Sequence, residues 1–229
     1  YYQHIMRPFR EHVLDALDLI EPLAAKVIAP AHGPILRDAP ERYVRRYRQL
    51  ASPQLASEVT QEKALLIFYI SAYGNTASMA QAVREGAEDA GGIRVSLYDL
   101  QGGEVAPFVD LIEEADGIAF GSPTINGDAV KPIWDLLSSL VVVNVREKVG
   151  AAFGSYGWSG EAVAMIEDRL RGLKLRVPVP GVKVKLIPTR NELDLCRALG
   201  RDLALHLTGR ATRKVISMES LIAKEQANA

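Results

Sequence analysis

The stretch Ala64-Leu65-Leu66-Ile67-Phe68-Tyr69-Ile70 runs without a charge and leads straight into Ser71-Ala72-Tyr73-Gly74-Asn75-Thr76. A continuous apolar run of this length suits a strand covered on both faces, as in a parallel sheet. The small, polar residues after it suit a tight turn into a helix. From Ala77 to Ala90 the chain is rich in Ala, Met, Gln and Glu and closes on Gly91-Gly92, a helix with a glycine stop. The same alternation repeats downstream. Strands are expected at 93–100, 117–121, 149–154 and 182–188, and helices at 130–140, 161–173 and 192–207. A polar-apolar segment lies around Val109–Ala115. Five strands alternating with helices imply parallel βαβ units, hence a doubly wound α/β domain over 63–207.

Upstream, residues 1–51 mix helical patterning with a short apolar strand. Residues 52–62, SPQLASEVTQE, read as a linker, and 208–229 as a polar tail. The 229 residues include 27 basic and 28 acidic side chains, and 48% are hydrophobic. That composition supports a buried core and excludes global disorder. A net charge of −1 offers no basic face for nucleic acid. No apolar run approaches the roughly 18 residues of a membrane span. The single cysteine, Cys196, cannot form an internal disulfide, which fits a reducing, cytoplasmic setting. A chain that starts at Tyr1 reads as a piece of something longer.

In an open parallel sheet, ligands bind beyond the carboxyl ends of the strands, where the strand order reverses. Three loops are therefore informative. Ser71 to Thr76 places hydroxyls, an amide and a glycine at a helix N-terminus, an anion site built without Lys or Arg. A plain helix cap is the other reading of the same residues. After the third strand comes Gly121-Ser122-Pro123-Thr124-Ile125-Asn126-Gly127. After the fourth comes Gly154-Ser155-Tyr156-Gly157-Trp158-Ser159-Gly160-Glu161. Trp158 either faces a ligand or folds back onto the sheet edge. A phosphate pocket beside a polar slot and aromatic faces is what a flat, phosphorylated heterocycle needs.

These three loops together resemble the flavodoxin-like domain that binds FMN, over about residues 63–207. By that resemblance Ser71, Tyr73, Gly74, Asn75 and Thr76 would hold the FMN phosphate. Pro123, Thr124, Asn126 and Gly127 would line one edge of the isoalloxazine ring. Ser155, Tyr156, Gly157, Trp158 and Gly160 would line the other. Tyr73 stands where short-chain flavodoxins carry a hydroxyl residue, and is familiar in the flavodoxin-like domains of larger proteins.

Ahead of this domain, Val27-Ile28-Ala29-Pro30-Ala31-His32-Gly33-Pro34-Ile35 reads as a short strand ending in a turn that presents His32. With Ile5-Met6-Arg7-Pro8-Phe9 before it, the segment resembles the end of the metallo-β-lactamase-like domain of a flavodiiron protein. His32 then matches that family's last iron-ligand histidine. In the family a two-iron centre takes electrons from FMN and reduces O2 or NO. The donor is rubredoxin or a flavin/NAD(P)H reductase, and head-to-tail homodimers put the FMN of one subunit beside the iron of the other. The family's H-x-E-x-D-H cluster is absent from this sequence, so one imidazole here cannot hold two irons. The alternative is a flavodoxin-like electron carrier with no diiron centre. A response-regulator-like receiver is set aside, because no acidic pocket follows Ile70. Arg42, Arg45, Arg46 and Arg48 read first as a solvated helix face and second as a docking patch for an acidic electron donor. Cys196, in register with Leu193, Leu199 and Leu203, reads as a packed small residue.

Overall fold

The computed structural model describes residues 2–52 and 62–211. The expected linker and tail therefore fall almost wholly outside the described residues.

The chain begins with a short π-helical turn, Tyr2–Met6, a 3-10 turn, Arg7–Phe9, and helix α1, Arg10–Ile20. After another 3-10 turn, Glu21–Leu23, and an irregular stretch comes α2, Pro40–Ala51. Val13 and Leu17, one helical turn apart, are the buried stripe of α1 and pack with Tyr2, Val44, Tyr47 and Ala51. The Tyr2 and Tyr47 rings meet edge to face at 5.5 Å. The expected strand at 27–35 is reduced to one antiparallel bridge, Ile28 to Leu36. The Pro and Gly residues between those positions leave too few ladder donors to extend it.

The rest is β1 (Lys63–Tyr69), α3 (Asn75–Ala90), β2 (Ile93–Asp99), α4 (Ala106–Glu114), β3 (Gly117–Gly121), β4 (Thr124–Ile125), β5 (Asp128–Ala129), α5 (Lys131–Ser139), β6 (Val149–Tyr156), α6 (Ala162–Gly172), β7 (Val182–Lys185) and α7 (Arg190–Leu207). Five strands form one parallel sheet in the order β2-β1-β3-β6-β7. This is a flavodoxin-like doubly wound sheet.

Because side chains alternate across a strand, the apolar run of β1 serves two cores. Leu65 and Ile67 point to one face, with Met79 and Val83 of α3 and Cys196 and Leu203 of α7. Leu66 and Phe68 point to the other, with Ile112 of α4, Ile133 and Leu136 of α5 and Ile166 and Leu170 of α6. Phe68, Phe120 and Phe153 are fully buried. Each such side chain contributes about 1.5–3 kcal/mol of burial.

Details of the sheet domain add to or differ from the sequence reading. The segment around 109–115 is a helix, α4. β6 runs two residues past the expected end, because Ser155 and Tyr156 pair with Val184 and Lys185 of β7. β7 stops at Lys185, three residues early: Leu186 adopts φ +60° and turns the chain out of the ladder before Pro188. The N-terminal segment is tied to the sheet domain by ion pairs. Arg7 donates to Glu113 at 2.5 Å and to Asp110 at 2.7 Å, both on α4.

Candidate functional site

The chain leaves β1 for β2 on one side and returns to β3 on the other. The strand order thus reverses between β1 and β3, and the loops after β1, β3 and β6 open at that crevice.

The first loop enters α3 through Gly74, whose φ of +84° a side chain would resist. The Ala77 N–H donates to Ser71 Oγ at 3.1 Å, and the Ser78 N–H to Gly74 O at 2.9 Å. Ser71 therefore caps the helix while keeping its own proton to donate. The first turn of α3 carries no acidic residue, so nothing on it offsets the positive end of the helix dipole. Thr76 follows in the first turn of α3. It is 0% exposed, and its hydroxyl pairs at 2.9 Å with that of Ser155, itself 7% exposed, at the end of β6. The pair ties the start of α3 to the end of β6.

The second loop contains a hairpin that the sequence reading missed. β4 and β5 pair antiparallel, with Thr124 opposite Ala129 and Ile125 opposite Asp128. The turn between them is Asn126-Gly127, with φ of +54° and +76°. Two successive positive φ values make a type I′ turn, for which Asn-Gly is the standard sequence signal. That dipeptide was legible. Its two-residue strands were too short to show a period. Buried Ser122 holds the hairpin's base: its Oγ accepts from the Val130 N–H at 3.1 Å and donates to Pro123 O at 2.8 Å. Pro123 is also buried. Thr124 is half-buried and accepts from the Ala162 N–H at 3.4 Å, while Asn126 and Gly127 are exposed.

The third loop, 156–160, closes on Gly160 at φ +77°. A Cβ there would lie 2.9 Å from the Tyr156 ring, so the ring's seat requires glycine. Tyr156 is half-buried, with the Lys183 ammonium 5.8 Å from its ring centroid. The Leu186 N–H donates to Tyr156 O at 2.7 Å. Gly157 is exposed. Trp158 is 94% exposed and Tyr73 is 92% exposed, so Trp158 does not fold back onto the sheet edge. Ile125 of β4 is also exposed, as are Leu186 and Ile187 just past β7. Glu161 follows the loop. Its carboxyl is held below the usual carboxylate range by a hydrogen bond from Ser159 and one from its own backbone N–H, with Lys183 adding to the effect.

Elsewhere, His32 is exposed in the turn between Ile28 and Leu36. Among the described residues no group of three or more His, Cys, Asp or Glu side chains could hold a metal ion. Arg48 of the arginine cluster bonds Asp18 at 2.8 Å and Glu21 at 2.7 Å. Arg42 bonds the Tyr43 hydroxyl, and Arg46 bonds Gln49. Cys196 is buried, which pushes its thiol up to about 12 and leaves it a core residue.

A flat phosphorylated ring system fits these residues. The positive end of α3 and the Ser71 and Asn75 side chains supply neutral donors for an anion, and two exposed aromatics flank the polar hairpin.

Residues 67–200 match the flavodoxin family model. The chain is 59% identical over 224 residues to a type A flavoprotein of Rhodobacter capsulatus, covering 98% of this chain and 52% of that one. It is 35% identical over 210 residues to a nitric oxide reductase of Moorella thermoacetica, covering 90% of this chain and 51% of that one. Its fold matches the rubredoxin oxygen:oxidoreductase of Desulfovibrio gigas with a TM-score of 0.69 and 28% identity, over 92% of this chain and 52% of that one. The chain spans about half the length of the curated relatives it matches.

Proposed function

From the premise that this chain belongs to the flavodoxin family and corresponds to about half of a type A, or flavodiiron, flavoprotein, we propose that it is the FMN-binding electron-transfer part of an O2 or NO reductase. The observation that carries this reading is the meeting of three loops at one switch point, with Tyr73 and Trp158 held in solvent beside them.

FMN bound there would supply one- and two-electron chemistry to a donor and an acceptor. The chain's part is to bind and orient it. Ser71, Tyr73, Gly74 and Asn75 take the phosphate at the head of α3, and the buried Thr76–Ser155 pair fixes that loop against β6. The Pro123–Gly127 hairpin lines one edge of the ring and the Ser155–Gly160 loop the other. Tyr73 and Trp158 cover apolar surface of the ring and keep water from it. In the longer protein, electrons pass on to a two-iron centre to which His32 contributes one ligand. The donor is a rubredoxin-type protein or a flavin/NAD(P)H reductase. The exposed side chains of Tyr73, Ile125, Trp158, Leu186 and Ile187 support a head-to-tail homodimer, in which they are covered by the second subunit. Among the described residues no helix is long and apolar enough to cross a membrane. We assign the protein to the cytoplasm.

The test is reconstitution. Incubated with FMN and desalted, the chain should be yellow and should release FMN, not FAD, on denaturation. A colourless protein that takes up no FMN refutes the reading.

A further inference from the structure

Glu161 stands between the two loops assigned to the ring. It precedes α6 and ends the Tyr156–Gly160 loop, yet its Oε1 lies 4.0 Å from where a Cβ on Gly127 would be, at the tip of the hairpin. The start of α6 already leans on that hairpin through the Ala162 N–H and Thr124 Oγ1. Glu161 Oε2 is occluded and has no hydrogen-bond partner among the described residues. An occluded carboxylate oxygen without a donor is costly, and native proteins keep few of them. The bonds from Ser159 and from its own N–H, with Lys183 nearby, favour the ionised form.

We propose that Glu161 is a positioning residue for the flavin: its carboxylate braces the Asn126-Gly127 turn against the Tyr156–Gly160 loop and fixes a negative charge at the ring's edge. The inference rests on the FMN reading above. Two-electron reduction by dithionite adds two electrons and one proton to FMN and leaves the reduced ring one charge more negative. A fixed carboxylate beside it holds the reduced form less tightly than the oxidised form, and so lowers the midpoint potential. The brace and the charge are separable. Glu161→Gln keeps the shape and one acceptor but loses the charge. Glu161→Ala loses both.

The experiment measures Kd for oxidised FMN and the two-electron midpoint potential of wild-type chain and variants at pH 7. In Glu161→Gln the ratio of oxidised to reduced Kd should rise by about fivefold, the lower end of typical coupling between two bound groups. Its affinity for oxidised FMN should hold. Glu161→Ala should show the same rise and a weaker oxidised complex. Asp168→Asn removes the same charge from a more exposed position on α6, where the carboxylate pairs with Arg171, and should change neither quantity. Equal ratios in wild type and Glu161→Gln overturn the proposal. So does an equal shift in Asp168→Asn, because any charge on the helix would then serve. Unweakened binding in Glu161→Ala overturns the brace. A wild-type chain that binds no FMN overturns the flavin reading itself, and is recognised before any variant is compared.

Discussion

Replacing Thr76 by Val tests whether the buried hydroxyl pair holds the site together. Thr76 Oγ1 and Ser155 Oγ lie 2.9 Å apart, 79 residues apart in sequence, with both side chains buried. Val keeps the shape of Thr and removes the hydroxyl, so the loss is polar and not steric. It strands Ser155 Oγ away from water, at a cost of about 1–3 kcal/mol. For a chain of this size that lowers Tm by about 2–4 °C per kcal/mol. Ser155→Ala strands Thr76 in the same way. The double variant removes both polar atoms, so its loss should fall short of the summed singles by about 1 kcal/mol or more. Urea unfolding followed by tryptophan fluorescence reports on this domain, because both tryptophans, Trp134 and Trp158, lie within it. FMN titration of the folded variants adds a second reading. Each single variant should bind FMN more weakly, because the loop at the head of α3 loses its tie to β6. Additive single losses would refute the coupling. A Thr76→Val chain of wild-type stability with weakened FMN binding would show that the hydroxyl acts on the phosphate directly and not through Ser155.

Gly200→Ala should destabilise the fold by about 3 kcal/mol or more, above the usual range for an added methyl in a core. Its Cβ would lie 1.9 Å from the Val83 carbonyl oxygen, backbone that cannot rotate aside, where α7 crosses α3. An unchanged thermal melt would contradict that close packing. Thr189→Ala removes the N-cap of α7, where Thr189 Oγ1 accepts from the Glu192 N–H and the Glu192 carboxylate accepts from the Thr189 N–H at 2.8 Å. The expected loss at pH 7 is about 1 kcal/mol. The Thr189 hydrogen bonds hold the Glu192 carboxyl below its ordinary range. Its folded value therefore lies beneath the unfolded one, and the stabilisation is complete above the unfolded value, about 4.3. It is lost as pH falls through the folded value. The stability gap between wild type and Glu192→Gln should thus close in acid, and a gap that persists below both values would refute the capping box.

The sequence by itself determined the layered α/β architecture and singled out the three loops of the candidate site. Leu65, Leu66, Ile67 and Phe68 follow one another because both faces of β1 are covered, and that requirement is written locally in the apolar run. The loops Ser71–Thr76, Pro123–Gly127 and Ser155–Gly160 announce themselves by composition, since tight turns and helix starts select Gly, Ser, Thr and Asn from neighbours along the chain. The hairpin at Asn126-Gly127 was also legible, in its turn dipeptide alone, because two-residue strands carry no periodicity. What each loop residue does was decided elsewhere. Thr76 meets Ser155 only because β6 lies next to β3 and near the start of α3, and strand order leaves no mark on either residue's neighbours. Trp158 stands in solvent, and a Gly-rich loop permits that or its opposite equally well. Glu161 reads in sequence as the residue before a helix. Only the folded chain buries one of its oxygens and brings the other near the tip of the hairpin at Gly127. Burial and hydrogen-bond partnership are properties of surfaces brought together across the fold, and they appear once the strands have taken their order.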